Sequence, residues 1–278
     1  MTLFDAKWNH RWDAGGRFCL GLDPKQDRMP DQYRNDRPYG LLKFCRARAS
    51  SAAEYIAAFK SNLGYFLSQG SYGINQLEML CKHFKHTYPD MPIILDCKSG
   101  DIAISAEQYA EFAFDMLGAD AMTANAYLGD DSLEPLFKKY PDRTIFVLCR
   151  TSNPGAGKYQ DLLTFKAGEP WSNARPLYQQ VAWDAQEWNA KYSNCGVVVG
   201  ATAPEELSFV RSIVGAMQIL LPGIGTQGGD LDQAVKNGMN SSRRGLVINV
   251  GSSIIFASDP KSEAKKIHTD INRVLATL

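Results

Sequence analysis

Short apolar runs and stretches of helical spacing alternate along this chain from end to end, and that alternation limits the fold more than any single motif does. Apolar runs at 18–24, 57–62, 121–127, 144–150, 196–201, 218–221 and 246–250, and one that opens at Ile93 and is closed by Ser99-Gly100, read as strands. Each is short, nearly continuous in apolar or small residues, and bounded by Gly, Pro or polar residues. Between them the spacing predicts helices at 39–56, through Gln76, Leu77 and Leu80, from Ala106 to Phe112, near 133–140, at 176–192, from Pro204, near 231–237 and over roughly 261–276. Eight strand–helix units whose strands are apolar on both faces indicate a closed (β/α)8 TIM barrel, an α/β fold, rather than an open doubly wound sheet. The 278 residues suffice for one core of this size, and no linker divides them, so 1–278 is expected to be a single barrel domain. The segment carrying Trp8 and Trp12 is expected to form a helix covering one end.

The third apolar run, Ile93-Ile94-Leu95-Asp96-Cys97-Lys98-Ser99-Gly100-Asp101-Ile102, carries two carboxylates and an ammonium. Side chains alternate along a strand, so Ile94, Asp96 and Lys98 share one face. Buried charge is costly unless paired, and the partners at hand are Asp96, Lys98 and, past the bend, Asp101. Asp23 ends the first run and Lys60 the second. Barrels place their reactive groups at the carboxyl ends of strands, and neighbouring strands lie about 4.8 Å apart, so Asp23, Lys60, Asp96 and Lys98 can converge on one pocket.

Thirty basic residues balance thirty acidic ones, which argues against a nucleic-acid binder or a polybasic membrane anchor. No apolar run is long enough to span a bilayer, and the first ten residues hold no signal-peptide core, so the expected setting is the cytoplasm. The six cysteines are scattered without a Cys-x-x-Cys pair, and suit buried thiols in a reducing compartment. His83 and His86 are three apart on a helix, but without a third ligand they read as helix surface rather than a metal site.

After the seventh strand the chain runs Pro222-Gly223-Ile224-Gly225-Thr226-Gln227-Gly228-Gly229-Asp230. Glycines let backbone amides approach an anion, and barrels of this class bind phosphate with the loops after strands seven and eight. A Rossmann reading is disfavoured, because the motif comes late and no βαβ unit with an acidic ribose ligand follows.

The pattern Asp96-x-Lys98-x-x-Asp101-Ile102, with Ser105 where Thr is usual, resembles the signature of the orotidine 5'-monophosphate decarboxylase family. So does the glycine loop with Gln227, Arg150-Thr151-Ser152-Asn153-Pro154-Gly155 after the fifth strand, and Val199-Gly200-Ala201-Thr202 at the sixth. The resemblance covers nearly the whole chain, in order and spacing, and points to the longer of two common sequence types. It implies cofactor-free decarboxylation of orotidine 5'-monophosphate to UMP, the last step of de novo pyrimidine synthesis. Lys60, Asp96, Lys98 and Asp101 would form the charged array, with Lys98 as general acid and Asp96 facing the departing carboxylate. Asp23 and Lys60 would bind ribose, Ser152 the base, and Gln227, Gly251 and Ser252 the phosphate, while Ile102 forms an apolar wall. The resemblance further implies a homodimer in which Asp101 and Ser105 reach the partner's site, and it is compatible with fusion to orotate phosphoribosyltransferase.

One position departs from the pattern. The family ends strand eight with Gly-Arg, whereas here the run is Val250-Gly251-Ser252-Ser253-Ile254-Ile255. A hydroxyl at 252 forgoes hydrogen bonds from a charged group worth roughly 1.5–3 kcal/mol. Either phosphate is held more weakly or another cation such as Arg150, Arg243 or Arg244 supplies the charge. Two alternatives stand beside the decarboxylase. Metal-dependent sugar-phosphate lyases or synthases of the same barrel, such as hexulose-phosphate synthases, need extra acidic ligands, but Asn62 follows Lys60 and the second strand offers no second carboxylate. A nucleotide-binding protein that has lost turnover is favoured only by Ser252. An imine-forming role for Lys98 is disfavoured, since that chemistry needs a neutral amine and carboxylates beside it keep an ammonium.

Overall fold

The computed structural model describes residues 1–165, 168–225 and 229–278. Eight parallel strands close into a barrel: β1 (Phe18–Gly21), β2 (Ile56–Asn62), β3 (Ile93–Ser99), β4 (Ala121–Ala124), β5 (Thr144–Arg150), β6 (Cys195–Val199), β7 (Ile219–Leu221) and β8 (Leu246–Val250). Round the ring the order is β1-β8-β7-β6-β5-β4-β3-β2, so β1 closes the sheet against both β2 and β8. The strands are almost wholly buried, as near-continuous apolar runs with helices outside and a packed interior require.

Helix α1 (Leu3–Asp13) covers the amino-terminal end of the barrel, as its tryptophans suggested. Thr2 and Asp5 form a capping box at its start, and Phe4, Trp8 and Trp12 are buried. Phe4 meets Phe146 of β5 edge-on at 5.3 Å between ring centroids, closing the floor with apolar surface. The outer helices are α2 (Gly40–Ala52), α3 (Gly70–Thr87), α4 (Ala103–Ala110), α5 (Asp130–Lys139), α6 (Leu177–Tyr192), α7 (Pro204–Val214), α8 (Leu231–Gly238), the short α9 (Ser252–Ile255) and α10 (Pro260–Leu275). On α7 the buried Arg211 donates to the carbonyls of Gly215, Met217, Gly238 and Gly245, tying together the turns that lead into β7 and β8. It has no carboxylate partner among the described residues, and burial lowers its pKa to about 10.

Three expectations are adjusted. Strand β1 ends at Gly21, although Leu22 N still donates to Lys60 O at 2.7 Å, so Asp23 stands just beyond the strand. Strand β4 stops at Ala124, because Asn125 accepts from Tyr127 N and turns the chain into a short helical turn. The segment from Thr151 to about Trp171, polar and without strand or helix spacing, reads from sequence as a long loop but is not a plain one. It contains a helical turn at Gly157–Gln160, and Leu163–Thr164 pairs antiparallel with Arg175–Pro176.

Candidate active site

The charged side chains meet at the carboxyl-terminal mouth. Lys60 of β2 and Asp96 of β3 come from adjacent strands in register, Lys60 beside Ile94 and Asn62 beside Asp96. Lys60 Nζ donates to Asp96 Oδ2 at 2.9 Å and Lys98 Nζ to Asp96 Oδ1 at 2.6 Å. Two neutral groups complete the carboxylate's shell: Asn62 Nδ2 donates to Oδ2 at 3.2 Å and Thr123 Oγ1 to Oδ1 at 3.0 Å. Asp23 Oδ1 accepts from the Asn62 amide at 3.2 Å and stands 3.9 Å from Lys60 Nζ. Lys60 is buried, with 3% of its side chain exposed, whereas Lys98 is 46% exposed and opens toward the mouth.

Burial alone would push the Asp96 carboxyl up, but the ammoniums of Lys60 and Lys98 override it and hold the group well below the usual carboxylate range. Burial likewise opposes the Lys60 ammonium, and Asp23 and Asp96 overcome it, raising the Lys60 pKa. Lys60 and Asp96 are therefore both ionised at neutral pH.

Lys98 and Asp96 do share a face, but not by simple alternation. Lys98 takes a left-handed backbone, φ 48°, and the pairing of β3 with β4 slips between Leu95 and Ser99. Such a conformation costs a non-glycine residue about 1–3 kcal/mol. The Lys98 amide donates to Thr123 Oγ1 at 2.8 Å, which pins the kink beneath the ammonium. Thr123 thus serves both Asp96 and Lys98, and nothing in a four-residue apolar strand marked it beforehand. Asn62 was legible as two residues beyond Lys60 on the same face, but its role as an Asp96 donor was not.

Asp101, Ile102 and Ser105 are not drawn into this array within one chain. Asp101 forms no ion pair among the described residues, and its Oδ1 accepts from Ile102 N at 2.8 Å. The expected contact of Asp101 with Lys98 is thus absent in the single chain, because the bend after Ser99 carries it away. Ile102 is 57% exposed, and Ser105 lies exposed on α4.

At the far side of the mouth, Ser152 follows β5 and is half-buried against β6, where Gly200 leaves room for it: a Cβ on Gly200 would lie 2.7 Å from Ser152 Cα. Gly251 joins β8 to α9, and its carbonyl accepts from Ile254 and Ile255 at 2.9 and 3.0 Å. Ser252 begins α9, while the neighbouring Ser253 Oγ is buried without a partner among the described residues. Gly223 and Gly225, with φ of 106° and 90°, give the loop after β7 its left-handed turns. Gln227 lies outside the described residues.

The cations suggested as substitutes for an arginine at 252 fare differently. Arg243 and Arg244 precede β8, at its amino end, and Arg244 pairs with Asp13 behind the floor helix, so neither serves this mouth. Arg150 ends β5 paired to Asp161 at 3.2 Å and Glu206 at 3.9 Å. The guanidinium that reaches α9 is that of Arg28, 4.2 Å above the Phe256 ring, with no ion pair among the described residues. Sequence reading had not singled it out. No group of three or more His, Cys, Asp or Glu among the described residues could hold a metal ion, and all six cysteines are free.

A family profile described as orotidine 5'-phosphate decarboxylase / HUMPS family matches residues 16–267. The orotidine 5'-phosphate decarboxylase of Azoarcus sp. (strain BH72) is 42% identical over 258 residues, 92% of this chain and 90% of that protein. Among solved structures, OMP decarboxylase from Leishmania donovani is similar with a TM-score of 0.83 and 35% identity, over 99% of this chain and 98% of the other. UMP synthase from the same organism is similar with a TM-score of 0.86 and 36% identity, and there this chain spans only 56% of the longer chain.

Proposed function

Because the chain belongs to the orotidine 5'-phosphate decarboxylase / HUMPS family, it is a carboxy-lyase acting on orotidine 5'-monophosphate, and we propose that Lys60, Asp96, Lys98 and Asp101 carry out the reaction. The observation that carries the assignment is Asp96, ionised and held by four donors, with an ammonium on either side at the open end of the barrel.

Breaking the bond from C6 to the carboxylate releases CO2 and leaves its electron pair on C6. Lys98, exposed to the mouth and tethered to Asp96, stabilises that developing charge and gives C6 a proton. Asp96 faces the departing carboxylate, so a like-charge contact present in the ground state is relieved as neutral CO2 forms. Lys60 keeps Asp96 ionised, and with Asp23 it meets the ribose. Ser152 reads the base. Gln227, Gly251 and Ser252 take the phosphate, and Arg28, over the Phe256 ring and without an ion pair among the described residues, is a cation at that end.

We further infer a homodimer in which Asp101, Ile102 and Ser105 complete the neighbouring site. Supporting this, the surface around them is apolar: Ile104 is 76% exposed, Ile102 57% and Tyr109 41%. Large apolar side chains exposed on one segment of a globular domain point to an interaction face. Free, mostly buried cysteines suit the cytoplasm. The similarity to UMP synthase supports a place beside a phosphoribosyltransferase that makes the substrate. The magnesium-dependent sugar-phosphate reading is not favoured, since the relatives that share most of the chain are decarboxylases and β2 lacks a second carboxylate.

The test is the ultraviolet change on adding orotidine 5'-monophosphate to the protein, with and without chelator, beside Lys98→Ala. Turnover that survives chelation and vanishes in the variant is the expected result. Nucleotide binding without turnover would instead leave a binding protein.

A further inference from the structure

Asn249 of β8 is a polar side chain inside the barrel for which the described residues provide no counterpart. Its Oδ1 is buried, and its carboxamide makes no hydrogen bond among the described residues. Buried amides are nearly always paired, so an unpaired one in a barrel mouth calls for an explanation.

The register shows where it faces. Phe59 of β2 stacks on Phe84 of α3 with ring centroids 4.0 Å apart, so it points outward, and its neighbour Lys60 points into the barrel. Gly21 of β1 lies beside Lys60, and Cys19, two residues earlier, lies beside Asn249. Positions in register on parallel neighbours face the same way, so Asn249 and Lys60 enter the mouth from either side of β1. On β1 Cys19 lies beside Asn249, and at the next inward position toward the mouth β1 carries only Gly21. A Cβ there would fall 3.2 Å from Asn249 Oδ1 and 3.1 Å from Gly251 Cα, so the glycine leaves the carboxamide bare toward the mouth.

The ring order then fixes what passes over it. The charged array stands on β2 and β3, the glycine loop follows β7, and α9 follows β8; β1 and β8 lie between these two ends of the site. A nucleotide with its reacting carbon at Lys98 and its phosphate at the β7 and β8 loops must lay its sugar across Gly21 and Asn249. A carboxamide offers both donors and an acceptor, which matches a hydroxyl that both gives and receives.

We propose that Asn249 is a substrate-binding residue that hydrogen-bonds a ribose hydroxyl of the nucleotide. This rests on the decarboxylase reading above. The experiment compares Asn249→Leu, close in volume and unable to hydrogen-bond, with wild type in binding UMP, 2'-deoxy-UMP and 3'-deoxy-UMP; Asn249→Ala stands in should the leucine variant not fold. The expected result is a tenfold or greater loss of affinity for UMP, absent for the analogue lacking the bonded hydroxyl, with the melting temperature maintained or raised. Unchanged UMP binding, or the same loss for all three ligands, would overturn the assignment and leave a water-held structural amide. Turnover of orotidine 5'-monophosphate by wild type, measured alongside, separates the two readings: if it succeeds while the analogue comparison fails, only the Asn249 assignment falls, and a wild type that binds no uridine nucleotide overturns both.

Discussion

Lys60 Nζ and Asp96 Oδ2 sit 2.9 Å apart on adjacent strands, with 3% and 10% of their side chains exposed, so each helps the other to stay charged in a buried site. Removing one partner of a buried pair leaves an uncompensated charge, at a cost of about 3–5 kcal/mol.

That dependence gives Asp96→Asn a particular pH signature. The Asp96 pKa is depressed, so its contribution to stability is complete above the ordinary carboxylate range and is lost as pH falls through the folded value. The Lys60 pKa is raised, so its contribution is complete below the ordinary lysine range and is lost as pH rises through the folded value. Between about pH 6 and 9 the wild-type pair therefore adds no slope. In Asp96→Asn the nearest carboxylate to Lys60 is Asp23 at 3.9 Å, and burial then drives the lysine toward its neutral form. The folded state binds fewer protons than the unfolded one, so the variant should gain stability from pH 7 to 10 while remaining below wild type at pH 7. Urea unfolding across that range checks it; a variant as flat as wild type would show that Lys60 keeps its charge without Asp96.

The second prediction concerns Asp101, which forms no ion pair among the described residues of its own chain. Chains carrying Asp101→Ala and chains carrying Lys60→Ala should each be nearly inactive. After subunit exchange, a mixed dimer would hold one site with neither lesion, and random mixing should restore about a quarter of wild-type activity. Exchange verified by mass with no recovered activity would place Asp101 in its own chain's site.

Why was the barrel so legible, and the site only in part? Strands such as Thr144–Arg150 and Leu246–Val250 are short apolar runs whose period and punctuation leave little choice, and both were located to the residue. Lys60, Asp96 and Lys98 were visible because charge in an apolar run has to be explained. Thr123 and Asn249 are neutral and of modest size, so nothing in the linear order distinguishes them from strand filler. Their significance is three-dimensional: Thr123 bonds Asp96 and the Lys98 amide across a strand boundary, and Asn249 stands out only because it has no partner among the described residues. Arg28 likewise acquires meaning from the Phe256 ring beneath it, which lies 228 positions further along the chain (256 − 28).

The last prediction turns on Ser252. It opens α9 with no capping bond, and the ring of Phe256, the residue that caps the helix's far end, already supports the Arg28 guanidinium. If phosphate is held at this end by backbone amides and hydroxyls alone, Ser252→Arg adds a charged, bidentate donor, and about 1.5–3 kcal/mol of extra binding means a tenfold or greater fall in Kd for UMP. The gain should be absent for uridine, which lacks the phosphate. It should also appear in KM with little change in kcat, because phosphate is gripped alike in ground and transition states. Arg28→Ala distinguishes the two ways the site could compensate. If Arg28 already supplies the charge, its loss weakens UMP but not uridine, and Ser252→Arg rescues it. If Ser252→Arg tightens UMP while Arg28→Ala changes nothing, the chain works with a weaker phosphate grip, and the closeness of Arg28 to α9 serves only the packing of Phe256.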